Sequence, residues 1–157
     1  MPRVKQRMVS LAAWEDHKQI LKLSKQSPYT KTLADVRYIQ EYYTNGWMFK
    51  AVKEESIVGF ACIRHCLRNP YTTIYYLGVE ESCRGAGLGW RLVKAVEEAS
   101  PHNELRLGIE ETNQEGRLFW LALGFVASGV VTTTKSGKQI YEFRKQKPQL
   151  VKLGCSL

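Results

Sequence analysis

Glu81 to Leu92 reads ESCRGAGLGWRL. Glycines 85, 87 and 89 follow Arg84 directly and lead into Leu88 to Ala99, where Leu88, Leu92, Ala95, Val96 and Ala99 share one helical face. Upstream, TTIYYLGV at 72–79 is strongly β-forming. A glycine-rich turn between a strand and a helix leaves backbone N–H groups unblocked at the positive end of the helix dipole, which suits an anion. Arg84 adds a positively charged fork. No Gly-Lys-Ser/Thr follows, so the turn is not a P-loop. Trp90 stands where the dinucleotide fingerprint needs its third glycine.

Working outward, Val4 to Ser10 reads as a short strand, and Leu11 to Lys25 carries Leu11, Trp14, Ile20, Leu21 and Leu23 at roughly helical spacing. SPYT breaks that helix. Thr32 is placed to cap a second helix that stops at Asn45-Gly46. Trp47 to Lys53 and Ile57 to His65 form a predicted hairpin around EES, and Asn69-Pro70 turns the chain into Tyr71 to Val79. After the glycine turn and its helix, Glu104 to Glu110 is a strand and Asn113 to Leu123 a helix. Phe125 to Thr134 and Lys138 to Arg144 make a closing hairpin. The order β-α-α-β-β-β-α-β-α-β-β predicts an α/β fold with a mixed, mostly antiparallel central sheet flanked by helices.

Length supports one domain over 1–145, followed by a basic tail at 146–157. No apolar run approaches the roughly 18 residues of a membrane span, so no membrane partner is expected. No secretory signal is readable, and four cysteines are too sparse for a disulfide framework, which points to free thiols in a cytoplasm. A net charge of +8 favours anionic ligands. Beyond Glu142 there is no acid, while Arg144, Lys145, Lys147 and Lys152 follow. Cys62 and Cys66 would share one strand face and His65 the other, so the three cannot converge on one ion and no metal is expected. Cys83, His17 and His102 read as surface residues.

The remaining pattern R-x-x-G-x-G, Arg84, Gly87 and Gly89 behind Leu77-Gly78-Val79, resembles the acetyl-CoA pyrophosphate loop of the GNAT superfamily of N-acetyltransferases. IVGFA at 57–61 is similar to that family's third strand. NQEGRLFWLALGF at 113–125 matches the spacing of its N-x-x-A-x-x-x-Y-x-x-x-G-F segment. The resemblance implies that Arg84, Gly85, Ala86, Gly87, Leu88 and Gly89 cradle the pyrophosphate of acetyl-CoA. Leu77 and Val79 would meet its pantetheine and acyl carbonyl, Asn113 the pantetheine arm, and Trp120 the region of the sulfur.

Two departures follow. Trp120 stands where the family places the tyrosine that protonates the leaving thiolate, and an indole cannot supply that proton. Gly116 replaces the usual alanine, which weakens the helix. The carboxylates that some members use as general base fall at Thr73 and Gly108. Substitutes are Glu110, on the face of Gly108 by the period-2 rule, and Tyr75 or Tyr76 on the neighbouring strand, with Glu110 and Tyr76 the catalytic candidates; a water could serve instead. Tyr29, Tyr38, Tyr42, Tyr43 and Trp47 lie where the family builds its acceptor wall. The first reading is acetyl transfer from acetyl-CoA to a small-molecule or macromolecular amine by direct attack in a ternary complex. The alternatives are the same fold acting on a nucleic-acid-linked amine, and a silent coenzyme A-binding module.

Overall fold

The computed structural model describes residues 8–148. Strand β1 is Val9–Leu11, and the expected start at Val4 lies outside the described residues. Leu11 belongs to this strand rather than to the next helix, which forms as one 3-10 turn at Trp14–Asp16 and helix α1, His17–Ser24. Asp16 Oδ2 accepts from the Ala13 N–H and also receives Lys50 Nζ at 2.9 Å, tying the turn to β2, Met48–Lys53. The second expected helix is two pieces. A 3-10 turn at Lys31–Asp35 and helix α2, Ile39–Thr44, are separated by Tyr38 at φ 59. Left-handed backbone at a bulky residue interrupts a helix. Thr32 caps nothing; its Oγ1 instead bonds the Tyr76 hydroxyl at 3.0 Å.

β2 and β3, Ser56–His65, join through Glu54 and Glu55, both at positive φ, the backbone of a tight hairpin turn. β4 is Tyr71–Val79, α3 Leu88–Ala99, β5 Glu104–Glu110, α4 Gln114–Ala122, β6 Val126–Thr133 and β7 Gln139–Gln146. The seven strands lie in the order β1-β2-β3-β4-β5-β7-β6, antiparallel except for β4 against β5, the two strands linked by α3.

Two apolar clusters cover the faces. One packs Leu88, Leu92, Val93 and Val96 of α3 and Trp120 of α4 onto Ile74, Leu105, Leu107 and Phe143. The other packs Ile20 and Leu23 of α1 and Tyr43 of α2 onto Met48, Phe60 and Cys62. This second cluster holds no residue of β5, β7 or β6, so on that face the helices stop at β4.

A bulge in β4 positions the site. Cys62 pairs with Tyr76 but Ile63 with Ile74, leaving Tyr75 without a partner on β3. Thr72 and Ile74 face α3 before the bulge, and Leu77 and Val79 face it afterwards, while Tyr76 joins the opposite cluster. A regular strand would put 76 and 78 on the α3 side. Because the ladder to β5 ends at Ile74–Leu107, while β5 stays paired with β7 through Glu110–Ile140, the two parallel strands separate.

The basic chain end is partly structural. β7 runs two residues beyond the expected Arg144, Lys145 Nζ meets the buried Glu97 carboxylate at 2.6 Å, and Lys147 Nζ donates to Ser100 O. Lys152 lies outside the described residues. The histidines assigned to the surface are also engaged: His17 stacks on Trp14, and His102 Nε2 bonds Cys66 O. Lys145→Ala strands a buried carboxylate and is expected to lower stability by about 3 kcal/mol. Lys138→Ala removes a partly exposed partner of Glu110 and is expected to cost under about 1 kcal/mol. Urea midpoints compare the two, and equal losses would mean that the Glu97 pair is not a buried charge pair.

Candidate active site

The separation of β4 from β5 opens a cleft of about 710 Å3, within the ordinary range of small-molecule sites. It is lined by the glycine turn and the start of α3, by Asn113, Phe119 and Trp120, and by Ser27 to Thr30, Tyr76, Gly108, Glu110 and Ile140.

The three glycines of the turn do different jobs. Gly85 and Gly87 lie at φ +86 and +79, and a Cβ on either would meet nothing within 4 Å, so their outer side is an open cradle. Gly87 is also the residue from which α3 starts. Gly89 is a packing residue, since its Cβ would sit 3.0 Å from the Phe119 ring of α4. Arg84 is exposed and its Nε donates to Val79 O at 3.2 Å, pinning the turn to the end of β4. Leu77 and Val79 line the cleft and pack on the α3 core. Leu88 also lines it while its side chain is buried, and Ala86 does not line it.

Asn113 is the N-cap of α4, its Oδ1 accepting from the Gly116 N–H at 2.9 Å, which leaves its amide N–H groups for other partners. This bond explains Gly116. A Cβ there would lie 2.4 to 2.8 Å from the Asn113 side-chain amide atoms, so the family's alanine does not fit over this cap. Trp120 is 8% exposed and packs edge-on against Phe119 and Phe125 with centroids at 4.9 and 5.1 Å, so it is a wall of the cleft and a core residue together.

At the far end, Glu110 and Gly108 do share a face, both lining the cleft. A side chain at 108 is excluded because its Cβ would meet Ile140 Cγ2 at 2.6 Å, so β7 fills the place where a carboxylate could stand. Glu110 receives Lys138 Nζ at 3.3 Å and the Thr112 hydroxyl at 3.3 Å, and Tyr29 OH donates to Thr112 Oγ1 at 3.2 Å. Tyr75 and Tyr76 both line the cleft; the Tyr76 hydroxyl lies against Thr32, and Tyr75, on the bulge, is 48% exposed. Of the five aromatics expected in an acceptor wall only Tyr29 lines the cleft. Tyr38 is 75% exposed, Tyr43 is buried with its hydroxyl pKa pushed up by that burial, and Tyr42 and Trp47 pack together edge-on. Sequence reasoning missed Lys138 and Thr112. Lys138 reaches Glu110 through the β5–β7 register, which no local pattern shows.

Among the described residues no three His, Cys, Asp or Glu side chains converge as a metal site. Cys62 is buried in the α1–α2 core, its thiol pKa pushed up to about 12 by desolvation. His65, on the other face, bonds Thr72 Oγ1, and burial and then His102 hold its pKa down.

The strand pair forced apart beside a glycine turn at the start of a helix is the arrangement that the resemblance to the GNAT superfamily implies. Residues 14–125 match the model of the acetyltransferase (GNAT) family. The chain is 39% identical over 124 residues to a 5-NmdU N-acetyltransferase of Pseudomonas phage PaMx11, covering 78% of this chain and 89% of that protein. Solved structures that share the fold include two acetyltransferases. One is a GNAT-family acetyltransferase from Bacillus cereus (21% identity, TM-score 0.75, 90% of this chain and 97% of that one). The other is an aminoglycoside 6'-N-acetyltransferase complexed with coenzyme A (18% identity, TM-score 0.74, 91% and 98%). The chain belongs to the GNAT acetyltransferase family and is an N-acetyltransferase. Among the described residues no helix is long and apolar enough to cross a membrane.

Gly116→Ala isolates the capping geometry. Helix propensity alone would raise stability by up to about 1 kcal/mol, but displacing the Asn113 cap costs about as much. Thermal unfolding is expected to show no gain, and a gain of the full propensity would mean that the cap is dispensable.

Proposed function

We propose that the protein transfers the acetyl group of acetyl-CoA to a primary amine, with the diphosphate at the glycine turn and the thioester between β4 and β5. The reading is supported by the early end of the β4–β5 ladder and by one cleft lined both by the open cradle of Gly85 and Gly87 and by the polar group around Glu110. The cradle fits a diphosphate: two left-handed glycines at the start of α3 turn N–H groups outward without Cβ obstruction, and Arg84 stands beside them. Leu88 and Gly89 would extend the cradle with backbone N–H groups, and Ala86 only spaces the glycines. Past Ile74 and Leu107 the facing backbone edges of β4 and β5 have no strand partner. Leu77 and Val79 can therefore offer backbone groups to an extended amide chain, and Asn113 its remaining amide N–H.

Acetyl-CoA supplies a thioester carbon to the acceptor nitrogen. A carbon–nitrogen bond forms as the carbon–sulfur bond breaks, and the amine loses a proton. In this reading Glu110 receives that proton, directly or through water; its contacts with Thr112 and Lys138 at the cleft support the role. Tyr76 positions the acceptor. Trp120 packs beside the thioester and gives no proton, so the thiolate leaves unassisted, which its pKa of about 8.5 permits.

A second reading concerns the acceptor. The phage relative's name carries 5-NmdU, a deoxyuridine substituted at position 5, and its coverage of both chains favours an acceptor of that class here, such as an aminomethyl group on a pyrimidine.

Arg84→Ala is expected to weaken acetyl-CoA roughly 5- to 100-fold in calorimetric titration, and Gly87→Val to do worse. Unchanged affinity in both would refute the cradle. Glu110→Gln is expected to lower kcat by about 10²-fold or more with acetyl-CoA affinity intact. Wild-type turnover should rise with pH as the acceptor amine becomes neutral. Trp120→Tyr should retain affinity and be at least as fast; loss of both would make the indole a specific part of the site.

A further inference from the structure

The face of the sheet that α1 and α2 leave open carries a row of arginines. Strand register aligns Arg64 of β3 with Thr73 of β4, Thr73 with Arg106 of β5, and Arg106 with Arg144 of β7. All four alternate with residues of the α3 core, since Ile63, Ile74, Leu105, Leu107 and Phe143 face α3, so all four lie on the other face. At about 4.8 Å per strand, three guanidinium groups cross some 15 Å of sheet.

Like charges directly opposite each other are unfavourable, and Arg106 and Arg144 are such a pair. Carboxylates hold them there: Glu104 meets Arg106 at 2.9 Å, and Glu142 accepts from Arg144 Nε. For Glu142, desolvation raises the pKa, but bonds from Arg144 and Ser128 and the charges of Arg144 and Arg106 outweigh it and keep the carboxylate ionised. Each pair occupies only part of its guanidinium fork, leaving N–H groups for another acceptor. Arg106 also lies 3.9 Å over the Tyr71 ring. Arg64 is exposed, has no carboxylate partner among the described residues, and stands 5.8 Å over Trp47. Tyr75, which with Arg64 lies close enough to Tyr42 to influence its hydroxyl, is exposed and also lines the cleft.

The row crosses the sheet just short of the active-site cleft. Gly108 and Glu110, which line it, are the next residues on the Arg106 face of β5, about 7 and 14 Å along the strand. That is one to two nucleotide repeats.

We propose that this face is the track of a DNA single strand whose sugar–phosphate backbone crosses Arg64, Arg106 and Arg144, so that the acceptor amine is carried by a nucleotide within a polymer rather than by a free nucleoside. The inference rests on the reading of the cleft as an acetyl-transfer site with a pyrimidine-borne amine. Phosphates supply further acceptors for the guanidinium N–H groups, and the exposed ring of Tyr75 supplies stacking for a neighbouring base. A free amine would have no use for charges 14 Å from Glu110.

The test combines binding and kinetics. Retention of a fluorescent single-stranded oligodeoxynucleotide is measured against salt for wild type, Arg64→Ala and Arg64→Glu. Arg106→Gln/Glu104→Gln is added so that no carboxylate is left unpaired. Acetyl-CoA affinity serves as the control for folding. Each loss is expected to weaken retention about three- to tenfold and flatten the logarithmic salt slope by about one, with acetyl-CoA affinity unchanged. KM for 5-aminomethyl-deoxyuridine in the oligonucleotide should be lower than for the free nucleoside, and that advantage should shrink in the variants. Equal KM values for the two acceptors, or retention indifferent to all three variants, would overturn the proposal. If neither acceptor is acetylated while acetyl-CoA binds, the pyrimidine reading fails by itself. Arginine-dependent retention would then still support the track, and its absence would end it.

Discussion

The site depends on one residue too many in β4. Tyr75 has no partner on β3, and absorbing it reverses which side chains face α3. Leu77 and Val79 thereby reach the core beneath α3, while Tyr76 turns toward α1 and the Lys31–Asp35 turn. The same rotation carries the backbone of β4 out of register with β5 at Ile74–Leu107. Parallel strands that stay in register leave no room between them, so the cleft exists because this pair cannot. Pairing of β5 with β7 keeps the other arm fixed as β4 turns away.

Around that opening, side-chain volume decides which chemistry is present. Ile140 fills the space that a side chain at 108 would need, which moves the available carboxylate one pleat along to Glu110. Lys138 and the Thr112–Tyr29 hydrogen bonds hold that carboxylate at the cleft. Along the α4 side, the Asn113 cap requires Gly116, and the Phe119 ring requires Gly89. These two small residues are consequences of packing, whereas Gly85 and Gly87 are required by backbone conformation and leave a surface open to a ligand.

Charge is distributed with similar economy. The chain's +8 does not lie in a separate basic appendage alone: Lys145 neutralises the buried Glu97, and Lys147 caps the last turn of α3 at Ser100. The arginines of the open sheet face are spaced by strand pairing, and Glu104 and Glu142 hold Arg106 and Arg144 side by side. A row of this kind has directional N–H groups that a disordered cluster of lysines would lack.

The element order, the mixed sheet and the strand–glycine turn–helix unit are legible in the chain, because they follow from local periodicity and from residues whose backbone preferences are strong. The sequence also placed Glu110 on the face of Gly108, since a period of two holds along an uninterrupted strand. It could not show that the helix expected from Thr32 breaks at Tyr38, or that Lys145 leaves the basic end to pair with Glu97. The bulge at Tyr75, the exclusion of a side chain at 108 by Ile140, the Lys138–Glu110 pair and the arginine row were decided only in the tertiary structure. Each depends on which residue of a distant strand lies opposite. Register is fixed by burying whole faces at once, so no local window of the chain contains it.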